Sequence, residues 1–499
     1  MTGRVIVSNR DALRSLYGED GFRHVEAYLN TFAASYRGEG YHSQIVWLDD
    51  KSRMDKIGAR AVDTPTSAVQ NKGAVDAVYK KLAPYYLTIV GGPDIVAQPR
   101  LKNPVKDRDP DVPSDLPYAS ETGWPGDLPN ISSFLNVNRR VGRIAGITGS
   151  KDPSYLVKAI EGAILTSPRN RDVFTEMPFA VSADDWKVSS RLTIKDIFGG
   201  DRRLNLSPPD GPVWPKELAN RLCHFVNCHG GGGDHRWFGQ GNKKMPVAFD
   251  SQLMEGALKA GVVMSTECCY GAQLYSVAAN PIMPICNRYL SQGASAFCGS
   301  TTTAYGPANA RGAADHITGD FLVYLLDGNS AGDSMLLARW FFKSIYTTFE
   351  PVSLKTFAQF YLLGDAAAVP VLPLSEEERQ MRNERRLSPL NLPKATDREI
   401  SIADPDPSAQ PPQDIYLKLI SIADREGVKE PEIVTCPVTA RESMAGVRRE
   451  VPAEERVYLI YDRGGDVSDG APFETTRIIS VTERNGEIVS EEIYESKGR

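Results

Sequence analysis

Seven cysteines and six histidines are the side chains of this chain best suited to nucleophilic chemistry near neutral pH. Two runs gather four of the cysteines and two of the histidines. The first is Leu222-Cys223-His224-Phe225-Val226-Asn227-Cys228-His229-Gly230. The second is Gly261-Val262-Val263-Met264-Ser265-Thr266-Glu267-Cys268-Cys269-Tyr270-Gly271. A thiol activated by an imidazole is a standard nucleophile–base pair, and it needs the two groups side by side in space, not in sequence. Either run alone reads equally well as core, because free cysteine is a common buried residue. Both runs together, in this order, favour chemistry.

Those side chains must be positioned by the elements that carry them. Each run is short, rich in β-branched or aromatic residues and stopped by glycine, which is the pattern of a buried strand. In a parallel sheet covered by helices, reactive groups gather beyond the carboxyl ends of the strands. Two neighbouring strand ends would therefore bring His229 to the cysteine pair.

The rest of the first 373 residues supports such a sheet. Val5 to Val7, Ile45 to Leu48 and Tyr86 to Val90 read as strands. Helical spacing separates them: Phe22, Val25, Leu29 and Phe32 in one case, Val75, Val78 and Leu82 in the other. Pro93 to Pro129 is rich in Pro, Asp and Gly and reads as a long loop, the kind that is functional or joins domains. Asn138 to Ile144 reads as a strand into a second half. There, helices are expected at Tyr155–Leu165, Ser251–Ala260 and Ile285–Gln292, and a pair around Asp327–Gly332. Loop is expected at 201–215, and strands at Ala294–Gly299 and Phe360–Asp365. Alternation of this kind predicts an α/β fold with a mostly parallel sheet.

After Pro373 the character changes. Residues 374–414 are charged and Pro-rich and read as a linker that a protease could reach at Arg379, Arg382, Arg385 and Arg386. Residues 415–499 hold strand-like runs and an Asn485-Gly486 hairpin turn, predicting a small β-rich module that could take a partner. The expected division is 1–154 and 155–373 for two α/β halves, then linker and module.

Composition excludes some classes. With 57 Lys and Arg against 63 Asp and Glu, the net charge is −6, which does not point to nucleic acid. No apolar run is long enough to span a bilayer, and the start lacks the apolar core of a signal peptide. An odd number of cysteines in apolar segments fits reduced thiols in a cytoplasmic protein.

The ordered set of segments resembles the caspase-hemoglobinase class of cysteine peptidases, and in detail its gingipain-type members. The resemblance rests on Asn227-Cys228-His229-Gly230 with Trp237 after it, on the acid-small-Cys run Glu267-Cys268-Cys269, and on the helix and Gly-Ala strand from Ile285 to Phe297. Leu362-Leu363-Gly364-Asp365 matches the segment closing that domain. Asp115 to Tyr118 and Val141 to Ile144 resemble the joint between its halves. The resemblance implies a caspase-like fold in two α/β halves. It also implies a peptide or protein substrate and hydrolysis by a Cys-His dyad. Members place a small residue before the nucleophile, and caspase, legumain and metacaspase relatives place an acid or amide two before it, which selects Cys269. The Cys-x-x-Gly spacing selects Cys268 as the alternative. His229 would be the acid–base, and Gly230 with the N–H of the nucleophile would hold the oxyanion. Glu267 would line the pocket for an Arg or Lys side chain, and Trp237 is a further substrate-side candidate. No cofactor is implied; calcium occurs in some relatives, but no site for it is evident.

Three other readings compete. A serine esterase would use His229-Gly230-Gly231-Gly232 and the G-x-S-x-G of Gly328 to Gly332, with Ser330 as nucleophile. Its histidine should follow the serine, and the last one here is His316. A zinc site could draw on Cys223, His224, Cys228, His229, His235, Cys268 and Cys269, but there is no C-x-x-C pair. A silent relative would keep the fold as an interaction module.

Overall fold

The computed structural model describes the chain except residues 1, 37, 39–40, 201, 347–348, 376, 379–397, 403–408, 437, 445–446, 453–454, 463–474 and 497–499. Arg379, Arg382, Arg385 and Arg386 lie outside the described residues. No described helix is long and apolar enough to cross a membrane.

The first half contributes β1 (Thr2–Ser8), β2 (His42–Trp47), β3 (Tyr86–Val90) and, within the long loop, the short pair β4 (Arg100–Lys102) and β5 (Asp111–Pro113). It ends with β6 (Arg140–Ile144). The second half contributes β7 (Phe179–Ala183), β8 (Leu204–Ser207), β9 (Cys223–Asn227), β10 (His229–Gly230), β11 (Arg236–Phe238) and β12 (Val247–Asp250). It continues with β13 (Val263–Thr266), β14 (Ala296–Ser300), β15 (Tyr305–Gly306) and β16 (Phe360–Gly364). Ten strands form one sheet in the order β2-β1-β3-β6-β16-β14-β13-β9-β7-β8.

Every pairing in that sheet is parallel except β14 with β16. The sheet is therefore two parallel blocks of opposite direction, joined where β16 meets β14. Most strand residues are buried, because helices cover both faces. The mostly parallel α/β architecture expected from the alternation is the one found. The segment Phe360–Asp365, expected as the last strand, is last in the chain but central in the sheet.

Some elements differ from expectation. Ser251 to Ala260 forms successive turns instead of a helix, and Gly256 within it has φ of +68°, a backbone a helix cannot hold. Leu204–Ser207, expected as loop, is the edge strand β8. The strand β7 and the helix Lys187–Phe198 had no counterpart in the sequence reading.

The C-terminal region contains β17 (Arg398–Ile402), inside the span read as linker, then β18 (Glu432–Cys436), β19 (Val438–Met444) and β20 (Val447–Pro452). β21 (Glu455–Asp462), β22 (Arg477–Arg484) and β23 (Glu487–Ser496) complete it. β22 and β23 form the hairpin expected around Asn485-Gly486. The helix Gln413–Arg425 packs Ile415, Leu419 and Ile422 on Tyr458, Ile460, Ile479 and Val481, on one face of the module's main sheet. The other face, through Val457, Leu459, Tyr461, Ile478 and Tyr494, joins the core of the α/β half, and β17, β19 and β20 form a separate sheet. The main sheet runs β15-β23-β22-β21-β18: the outermost strand, β15, belongs to the second α/β half.

Candidate active site

β9 and β13 are parallel neighbours, paired from Cys223↔Val263 to Val226↔Thr266. Their ends therefore emerge together. Thr266 ties them further: its hydroxyl donates to Val226 O (3.1 Å) and accepts from Cys268 N (3.2 Å). Beyond β9 the chain enters β10, which pairs with β11, so that His229 opposes Phe238 and Gly230 opposes Trp237. A Cβ on Gly230 would lie 1.9 Å from the carbonyl oxygen of Cys269. Only glycine fits there, and this close approach places the His-Gly turn against the backbone of Cys269.

His229 is wholly buried. Its Nε2–H donates to Gln240 Oε1 at 2.5 Å, and its ring centre lies 4.2 Å from that of Trp186. With the proton on Nε2, Nδ1 is the basic nitrogen.

Cys269 is also wholly buried. Ala304 N–H donates to its Sγ at 3.0 Å, and the Ala304 carbonyl oxygen lies 3.4 Å from the same sulfur. Burial pushes the thiol well above its ordinary pKa; the Ala304 N–H opposes that, Asp109 adds to it and Lys355 opposes it. The next residue, Tyr270, has φ of +54°, a left-handed conformation costly for a large side chain. It is held by Tyr270 N donating to Thr302 O (3.0 Å) and Tyr270 OH donating to Asp109 Oδ1 (2.5 Å).

The other candidates sit differently. Cys268 lies near Tyr289 on the helix Ile285–Ser291, the helix that His224 also meets through Tyr289 OH (2.8 Å). Glu267 is fully buried and accepts from Thr318 Oγ1 (3.4 Å), on the helix Ala314–Leu326, whose Thr318 carbonyl also takes the Ser265 hydroxyl. Trp237 stands 5.6 Å from Phe249 in an edge-on aromatic pair and is buried in the core.

The sequence reading missed several members of this neighbourhood. Lys355, fully buried, donates to Asp107 and to Asp109 Oδ2 (2.6 Å). Asp109 Oδ2 also accepts from Thr303 N (2.9 Å), and Asp107 Oδ2 accepts from Tyr305 OH (2.8 Å). These carboxylates come from the loop between β4 and β5. Only the Pro- and Asp-rich composition of Pro93–Pro129 hinted at that role. Gln240, Trp186 and Ala304 carried no signal in the sequence.

Two competing readings lose their geometry. Ser330 Oγ accepts from Asp333 N (3.0 Å) and donates to Asp333 Oδ2 (2.6 Å), so it caps the helix Ala331–Ile345 and is no nucleophile elbow. Among the described residues no three His, Cys, Asp or Glu side chains are arranged to hold a metal ion. A cavity of about 530 Å³ beside Asn9, Asp49 and Arg60 opens where β1 and β2 end, at the other edge of the sheet.

No protein-family model matches the sequence, and no curated protein matches it. Among solved structures, the fold is similar to the complex of Porphyromonas gingivalis RgpB pro- and mature domains. The identity is 10%, all of both chains is covered and the TM-score is 0.51. Dimeric latent PorU from Porphyromonas gingivalis matches at 10% identity over 99% of this chain and 42% of its own, with a TM-score of 0.31. At this identity the likeness to RgpB is one of fold.

Proposed function

We propose that this protein is a cysteine endopeptidase of the caspase-hemoglobinase class, most like its gingipain-type members, with His229 and Cys269 as its dyad. The observation that carries the reading is the seating of Gly230 on the Cys269 carbonyl, which leaves room for nothing between the two strand ends. The similarity of fold to RgpB supports it.

In this reading, His229 Nδ1 takes the Cys269 proton and the thiolate attacks the scissile carbonyl. The N–H groups of Gly230 and Cys269 hold the oxyanion. The imidazolium returns its proton to the leaving amine, and water then hydrolyses the thioester with His229 as base. No step draws on a cofactor. Glu267, fully buried, selects Arg over Lys in the substrate, since a desolvated carboxylate binds a guanidinium in two places. Trp237, paired opposite Gly230, holds the strand that carries it. The seven cysteines are buried and none is in a disulfide, in keeping with a reducing, cytoplasmic setting.

One observation favours a silent module instead: both dyad residues are inaccessible and the thiol is held protonated. A peptidyl acyloxymethyl ketone with Arg at its reactive end separates the two. The peptidase reading expects covalent label on Cys269 over hours, lost in His229→Ala and retained in Cys268→Ala. Label on Cys268 would move the nucleophile by one residue, and absence of label on either, in the unaltered chain and in one whose β23 is released from β15, would support the silent module. Glu267→Ala should lower the rate with the Arg reagent at least tenfold relative to an alanyl one.

A further inference from the structure

The C-terminal module reaches His229 through one intervening residue and Cys269 through two. β23 pairs antiparallel with β15, Ser496 opposite Tyr305 and Glu495 opposite Gly306. β15 begins one residue after Ala304, whose main chain brackets the Cys269 sulfur. On the histidine side, Trp186 Nε1 donates to Glu495 Oε2 at 3.3 Å, and the same indole lies against the His229 ring. A third contact holds the loop that braces Tyr270: Lys106 N donates to Tyr461 OH (3.0 Å), and Lys106 Nζ pairs with Glu432.

A two-residue strand at the rim of a site offers main-chain N–H and C=O groups to any extended polypeptide that can pair with it. Here one already does. We propose that β15 is the docking edge for an extended polypeptide strand, and that β23 occupies it as an intramolecular competitor which must leave before the Cys269 thiol can be reached.

The polar contacts of β23 suit displacement: the ladder is two residues long, Trp186 reaches Glu495 through a 3.3 Å bond, and the Lys106–Glu432 pair is solvent-exposed. Exposed pairs of this kind contribute little. Tyr494 remains in the core shared with the α/β half, so the exchange concerns the end of β23 at Glu495 and Ser496. An incoming strand would replace the ladder bonds one for one, so exchange loses few hydrogen bonds. The identity of that strand as a substrate rests on the peptidase reading; the occlusion by β23 does not.

The test uses the full chain carrying Tyr461→Phe, Glu432→Lys and Glu495→Ala together. Alkylation by iodoacetamide is followed by mass mapping, with Cys223 and Cys298, buried in the large sheet, as internal controls of folding. Cys269 should alkylate at least tenfold faster than in the unaltered chain, with both controls silent. Equal rates in the two proteins, controls silent, overturn the proposal. If the controls also react, the variant has unfolded, and hydrogen exchange of the unaltered chain decides. The Tyr305 and Gly306 amides should exchange faster than those of β14 and together with those of β23. Exchange as slow as β14 overturns the proposal. Peptide hydrolysis separates the two readings. Released alkylation with no cleavage of Arg or Lys peptides upholds the lid and removes the peptidase. Equal cleavage by variant and unaltered chain upholds the peptidase and removes the lid.

Discussion

Beside the line where the two strand blocks meet, and within the first half, Arg143 is wholly buried and grips Asp115 through Nε (2.8 Å) and Nη2 (2.6 Å), while its Nη1 donates to Gly91 O and Val96 O. Nearby, Asp365 takes Arg4 Nη1 (2.6 Å) and the Thr88 hydroxyl (2.5 Å), both from the first half. Where the second half meets the C-terminal module, the materials are different. There the joint is a two-residue ladder, an exposed Lys106–Glu432 pair, the buried Glu350 facing Glu492, and an apolar face of Val457, Leu459, Tyr461, Ile478 and Tyr494 that shares the core of the α/β half. Opening the first joint would strand a carboxylate away from water. Opening the second would return its rim charges to water and expose its apolar face. The first is a joint of buried charge, the second one of apolar surface rimmed by exposed charge.

Removing Arg4 tests the first joint most severely. Arg4→Met leaves Asp365 buried without its cation, and should cost about 3–5 kcal/mol of global stability. Urea unfolding of the full chain measures it; a loss below about 1 kcal/mol would erase the contrast between the joints.

The second test is by pH. Glu350 caps the helix Pro351–Gln359 by accepting from Val352 N (2.8 Å) and Ser353 N (2.6 Å). Burial raises its pKa to about 7; the Val352 N–H opposes this and Glu492 adds to it. Tyr346, Tyr461, Tyr494 and Cys436 also face it. Unfolded, the group titrates near 4.5, so between that value and 7 the folded chain holds the extra proton. Stability from this group is full below the lower value and falls as pH rises through 7. Melting should drop between pH 5 and 8 by on the order of 2 kcal/mol. Glu350→Gln should flatten that slope, and an unchanged slope would assign it elsewhere.

Lys106→Ala, at the exposed end of the module joint, should cost less than about 1 kcal/mol in the same urea assay. A larger loss would mean that this seam rests on its charges as the first does.

Much of the α/β half of this picture was legible in the sequence, because burial on both faces writes short apolar runs with glycine stops. Tyr86–Val90 and the apolar run before His229-Gly230 are read that way. What escaped were relations set by distant parts of the chain. The run Phe179–Val181 is too short to declare itself a strand without its partners β8 and β9. Nothing local in Phe360–Gly364 says that it lies between β6 and β14, antiparallel to the latter. The carboxylates of Asp107 and Asp109 read as loop polarity until Lys355, far along the chain, is placed beside them. The sequence placed His229 and Cys269 just past two strand ends, and the parallel register of β9 and β13 makes those ends neighbours. Gln240, from a loop, and Trp186, from a 3-10 turn, meet the imidazole and carry no such period.

The central position of β16 sets a timetable. It is the last of the ten sheet strands to leave the ribosome, and neither block has its inner neighbour before then. At roughly 5–20 residues per second, β23 follows on the order of ten seconds later. For that interval the strand ends bearing His229 and Cys269 are in place while the strand that pairs with β15 has yet to be made. Each newly synthesised copy passes through an uncovered form before the covered one, and the first polypeptide within its reach is its own nascent chain.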